Sequence, residues 1–231
     1  MENKGKLPKR MPTRKFLLAV LWLLTVLNTI YPAFAQSSLA LAKEHNRKGI
    51  ALQGQGRYQQ AAEEYQLAIK LNPNSASFHN NLALLHKDMN NMTDAEKEMR
   101  LALKIKPERP DYHFNLGLIL MRQNELAKAE PEFRQAVAGN PMDPEFRLRL
   151  SQVLLQTSHP KEAAEEVKMA LLLKPNDMKL HKQLADCLLK LGQYDQSYVE
   201  FRKILDSDPN SPDKVEIVNK IQYLKEVLKL P

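Results

Sequence analysis

Residues 58–73 read YQQAAEEYQLAIKLNP, and the frame returns as MTDAEKEMRLALKIKP at 92–107, LAKAEPEFRQAVAGNP at 126–141, PKEAAEEVKMALLLKP at 160–175 and YDQSYVEFRKILDSDP at 194–209. The closing prolines, Pro73, Pro107, Pro141, Pro175 and Pro209, stand 34 residues apart without a slip. Ala61, Ala95, Ala129, Ala163 and Ser197 fill one small-residue column, and Ala68, Ala102, Ala136, Ala170 and Ile204 fill a second. Between them run Tyr65, Met99, Phe133, Val167 and Phe201, all large and apolar. Ala61, Tyr65 and Ala68 are spaced i, i+4, i+7, which is one face of a helix. Small side chains let a second helix approach closely, and the large one fills the groove beside the contact. The proline then ends the helix, because it cannot continue the hydrogen-bond ladder. A self-similar period of this length predicts an array of helix pairs.

Working outward from these segments, Leu82, Leu116, Leu150 and Leu184 recur on the preceding helix, with Gly49 and Gly117 at the next position of their own repeats. Gly56, Asn90, Asn124 and Gly192 suit the turn between the two helices. Pro110, Pro144 and Pro212 fall at first-turn positions of the next helix, where a missing N–H costs nothing. Glycine is scarce, only 7 in 231 residues, and helix-forming residues dominate beyond residue 40. The class read from composition is all-α.

The pattern resembles the tetratricopeptide repeat family, with repeats at 42–75, 76–109, 110–143, 144–177 and 178–211. The resemblance implies a right-handed superhelical solenoid of five helix pairs. It departs from the family where an early tryptophan is usual: His45, His79, His113, Arg147 and His181 stand there. Solenoid ends need capping, and residues 212–231 are expected to form a capping helix that buries Val215, Val218, Ile221, Leu224, Val227 and Leu228.

The N-terminus reads differently. Lys4, Lys6, Lys9, Arg10, Arg14 and Lys15 precede an apolar run from Phe16 to Ile30, followed by Pro32, Ala33-Phe34-Ala35 and a short linker at 36–41. That order predicts a secretory signal peptide over 1–35, broken at Pro32 and cleaved after Ala35. The location it implies is extracytoplasmic, either periplasmic or secreted. An uncleaved leader would instead anchor the chain at the inner membrane, the one reading in which a membrane is a partner.

The formal charge of +7 belongs to the leader: without its six cations and one acid, the totals of 34 and 27 leave a net of +2. A nucleic-acid partner is therefore not expected. The lone Cys187 lies among leucines and reads as a small core residue. Zinc needs its nitrogen ligands at about 2 Å, whereas equivalent positions on packed helices lie about 8–10 Å apart, so the histidine column predicts packing and no metal. The pairs Glu63-Glu64 and Glu165-Glu166 read as solvated faces. No nucleophile elbow or phosphate loop appears, so neither an enzyme nor a cofactor is expected.

The resemblance places ligand binding on the first helix of each pair, in a concave groove that receives a protein or peptide partner. The expected contact residues are Arg47, Asn80, Asn81, Leu84, Phe114, Asn115, Leu118, Arg149 and Gln183. Arg47, Asn81, Asn115, Arg149 and Gln183 form one polar column, and an asparagine amide can donate to and accept from a peptide unit. The family's carboxylate clamp is not expected, because the corresponding positions read Asn46, Ile50, Asn81, Asp111 and Asn115. Counted along the assumed groove, the charge is mildly basic and predicts a preference for acidic segments. Self-association stays open.

Overall fold

A computed structural model describes residues 13–209 and 212–230; from 13 to 35 it describes the backbone and the side chains of Leu18 and Trp22. Eleven helices and no strand are present among these residues: α1 Thr13–Gly54, α2 Tyr58–Leu71, α3 Ala76–Asp88, α4 Met92–Ile105, α5 Pro110–Arg122, α6 Leu126–Gly139, α7 Pro144–Gln156, α8 Pro160–Leu173, α9 Met178–Lys190, α10 Tyr194–Ser207 and α11 Lys214–Leu228. The all-α expectation holds. The chain divides into two compact units, Met1–Asn74 with α1 and α2, and Ser75–Pro231 with α3 to α11.

In two of the pairs a glycine on the first helix makes room for an aromatic ring on the second. A Cβ added at Gly49 would lie 2.7 Å from the Tyr65 ring, and one at Gly117 would lie 2.7 Å from the Phe133 ring. The same two positions hold Ala83 and Met99, Ser151 and Val167, and Ala185 and Phe201 in the other pairs, all of them buried. Ala61, Ala68, Ala95, Ala102, Ala129 and Ala136 have no exposed surface, consistent with close approach of the paired backbones.

Every turn inside a pair closes in one way. Gly56, Asn90, Asn124, Ser158 and Gly192 have φ of 73°, 60°, 60°, 66° and 72°. At each, the following N–H reaches back to the helix, as in Arg57 N to Leu52 O at 2.9 Å and His159 N to Leu154 O at 2.8 Å. This is the Schellman closure, which satisfies the last carbonyls of a helix. Ser158 completes the set, although the sequence reading had picked out only the glycines and asparagines.

In the second unit a continuous apolar core runs from Ala76 in α3 to Leu188 in α9. A separate cluster of Ala185, Phe201, Ile204, Ile217, Ile221 and Leu224 joins α9, α10 and α11. The capping stripe differs from expectation: Val215, Val218 and Val227 are 75%, 42% and 41% exposed, and the buried residues are Ile217, Ile221 and Leu224. The reason is register. One period after α9, α11 is a first helix, and its buried residues occupy the positions of Gln183, Cys187 and Lys190. Among the described residues no second helix follows it. The face that α9 covers with Leu184, Ala185 and Leu188 therefore becomes Val218, Asn219 and Gln222 in water, and two of these three are polar.

Helix α1 continues through Pro32, so the break expected there is absent from the backbone. The cleavage after Ala35 and the side chains of the Phe16–Ile30 run, apart from Leu18 and Trp22, lie outside the described residues. Among the described residues no helix is long and apolar enough to cross a membrane.

Candidate functional site

The histidine column takes part in a hydrogen-bonded ladder. His45 Nδ1 lies 2.6 Å from Glu64, His79 2.7 Å from Glu98, His113 2.6 Å from Glu132 and His181 2.5 Å from Glu200, each joining the first helix of a pair to the second. Arg147 holds Glu166 at 2.6 Å in the same register. Behind the ring, His113 Nε2 donates to the Pro107 carbonyl at 2.8 Å, His181 Nε2 to the Pro175 carbonyl at 2.8 Å and Arg147 Nε to the Pro141 carbonyl at 3.0 Å. A carbonyl and an ionised carboxylate both only accept, so a side chain bridging them needs two donors. Arginine always has them. The staples at His113, Arg147 and His181 therefore tie the two helices of a repeat to the end of the repeat before it. Glu64 and Glu166 are thus structural acceptors, which corrects their reading as solvated residues. The five glutamates are themselves 34 residues apart, and that was the signal that could have found them. Among the described residues no cluster of three potential ligands has metal-holding geometry.

The expected contact residues of the second unit lie along the first helices α3, α5, α7 and α9. Asn115 Nδ2 donates to Asn80 Oδ1 at 3.1 Å, and Asn80 Nδ2 donates to Asn81 Oδ1 at 3.2 Å, so these three amides form one network across α3 and α5. Leu84, Phe114 and Leu118 are half-buried and pack onto the core beside them. The Phe114 ring stacks on Phe146 at 4.6 Å and meets Phe133 edge-on at 5.7 Å, which holds it rigid. Arg47 is exposed on α1, in the other unit.

Farther along, Glu145, Leu148, Arg149, Gln152, Lys179, Lys182, Gln183 and Asp186 surround a cavity of about 480 Å³ together with Asp213 and Glu216. Arg149 is bound to Glu145 at 2.7 Å and to Gln152 at 3.1 Å. Lys182 pairs with Asp213 at 2.9 Å and Glu216 at 2.8 Å; Lys220 pairs with Asp186 at 2.6 Å and Glu216 at 2.7 Å. Hydrogen bonds from both lysines hold the Glu216 carboxyl down at about 2. Burial alone would lower the two ammonium groups, but bonds to Glu216 with Asp213 or Asp186 outweigh it and raise both. The Nε2 of Gln183 is buried with no hydrogen-bond partner.

This network ties up part of the charge counted along the sequence. Arg149 and Lys182 are already paired, and Asp213, Glu216 and Lys220 join them, two acids and one cation. Adding one period to Lys182 and Asp186 gives Glu216 and Lys220, so the register had placed them within reach. Cys187 is fully buried, and burial pushes its thiol up to about 12, as suits a core residue.

Four family models match the chain: a TPR repeat over residues 51–90 and tetratricopeptide repeats over 76–109, 114–177 and 183–211. Together they span more than half of it, and none describes a catalytic domain. No curated protein matches by sequence. Among solved structures, the chain resembles MamA at 17% identity and TM-score 0.68, over 76% of this chain and 94% of that one. It resembles YrrB, described as a TPR protein with an unusual peptide-binding site, at 16% identity and TM-score 0.68, over 76% and 90%. It resembles PilF of Pseudomonas aeruginosa at 21% identity and TM-score 0.65, over 84% and 92%. At these identities the likeness is one of fold.

Proposed function

The chain belongs to the tetratricopeptide repeat family, and from that premise we propose that it is an extracytoplasmic scaffold whose first-helix face receives a peptide segment or partner helix. One observation carries the reading: the Asn115–Asn80–Asn81 network lies beside the half-buried Leu84, Phe114 and Leu118 on one surface. Polar groups fixed in place beside apolar surface are what a protein interface needs at its centre. The likeness to YrrB, a protein described as having a peptide-binding site, supports the same reading. The role that fits is an assembly factor for an envelope or secretion complex. Affinity capture from the native extract with the full chain, set against its Leu84→Asp variant, tests it. The reading requires a protein retained by the first and lost from the second, and it fails if both retain the same set.

The extracytoplasmic part rests on the basic, apolar and small-residue order of residues 1–35. A second reading, a membrane-tethered adaptor with an uncleaved leader, is favoured by the continuity of α1 from Thr13 to Gly54. N-terminal sequencing of the mature protein separates them: Gln36 at the terminus supports cleavage, and a retained Phe16–Ile30 supports tethering.

A further inference from the structure

The first-helix face of the second unit has two chemically distinct halves. Following each groove position along the period, α3 and α5 supply Asn80, Phe114, Asn81, Asn115, Leu84 and Leu118, none of them charged. The same positions on α9 and α11 are Lys182, Glu216, Gln183, Ile217, Asp186 and Lys220, and all four charges are spent on one another at 2.6–2.8 Å.

Resting on the groove reading above, we propose that the α3–α5 half is the gripping half and that it takes an uncharged segment carrying bulky apolar side chains. A charged side chain brought against Leu84, Phe114 and Leu118 loses its hydration among apolar groups and neutral amides, with Lys87 and Arg122 a turn farther along α3 and α5. An apolar one gains by every Å² removed from water. The linked amides offer fixed donors and acceptors to the segment's backbone, so chain polarity is satisfied without charge. In the α9–α11 half a ligand must first break existing ion pairs. Leaving a half-buried partner unmatched is costly, so that half contributes little grip.

The test uses the full chain and three synthetic twelve-residue peptides of one backbone length, measured by fluorescence anisotropy at fixed salt. The first carries Leu and Phe among Ser and Asn, the second has Glu in place of the Leu and Phe, and the third has Lys there. The expected result is binding of the neutral peptide at least about tenfold tighter than either charged one. Leu84→Asp, and independently Leu118→Ser as a milder change, should weaken it about tenfold. Lys182→Ala should leave it unchanged. Tighter binding of a charged peptide overturns the inference while leaving the groove reading intact. So does neutral-peptide binding that survives both leucine changes in folded protein, shown folded by circular dichroism. If no peptide of any class binds, the groove reading itself falls, and the inference with it.

Discussion

The two ends of the second unit, α3–α6 and α9–α11, share a repeat but are held on their groove side by different forces. At α5, Phe114 is wedged between Phe133 and Phe146, and the neighbouring polar groups are neutral amides. At α9 the groove side is bound by charges, and Lys220 also lies 5.3 Å over the Phe201 ring. Apolar packing is indifferent to salt and to moderate pH, whereas partly exposed ion pairs are screened and titrate. One period can therefore build either an amide-and-aromatic face or a charge-paired one, because period fixes backbone register and leaves groove-facing side chains free.

The largest expected effect breaks the packed half. Phe133 is fully buried, so Phe133→Ala should cost about 3–5 kcal/mol in urea unfolding and should loosen Phe114, while the ion pairs at α9–α11 stay intact. A loss below 1 kcal/mol would mean that the aromatic stack does not hold that half.

The staples are common to both halves, so they sharpen the contrast by cancelling from it. His113→Leu should lose about 1–3 kcal/mol, because a half-buried carboxylate and a proline carbonyl are left without a donor, and His181→Leu should lose less, because Lys203 still donates to Glu200 at 2.7 Å. His113→Arg should be close to neutral, since Arg147 already makes both contacts in its own repeat. Equal losses at the two histidines, measured by denaturant titration, would show that Lys203 does not support Glu200.

Smaller effects belong to the charged half. Glu216 has a folded-state value near 2, below the ordinary carboxylate range. A depressed acid contributes stability that is present above its unfolded value and lost as pH falls through the folded one. Docking of α11 should therefore weaken as pH drops from the ordinary carboxylate range toward about 2. Glu216→Gln should remove that part of the dependence, at a cost of about 0.5–1 kcal/mol at neutral pH, since the side chain is 48% exposed. Hydrogen exchange of α11 amides against pH and salt reads this directly.

Smallest is the turn between the halves. Ser158 holds φ at 66°, where glycine is unstrained, so Ser158→Gly should stabilise by about 0.5–1 kcal/mol in thermal unfolding. No gain would mean that the serine makes a compensating contact.

Much of this molecule was legible in its columns. The closing prolines, the small–large–small face and the turn glycines and asparagines are local requirements, so a single register announces them. The glutamates of the staples carried the same register but lay among surface-like neighbours. Only the fold shows that each faces the histidine or arginine on the preceding helix 19 residues earlier. The capping stripe was misjudged for a related reason: helical periodicity allows several stripes, and the one that is buried depends on where α10 lies.

By itself the sequence determined the class, the period and the pairing of helices, because backbone geometry and side-chain volume dictate these over a few turns. Tertiary structure decided which charges are available. Lys182 and Lys220 look like free cations in a string of letters, but α11 packs beside α9 and brings their partners within 2.9 Å. Electrostatics depends on distance between groups far apart in the chain, and only folding sets that distance.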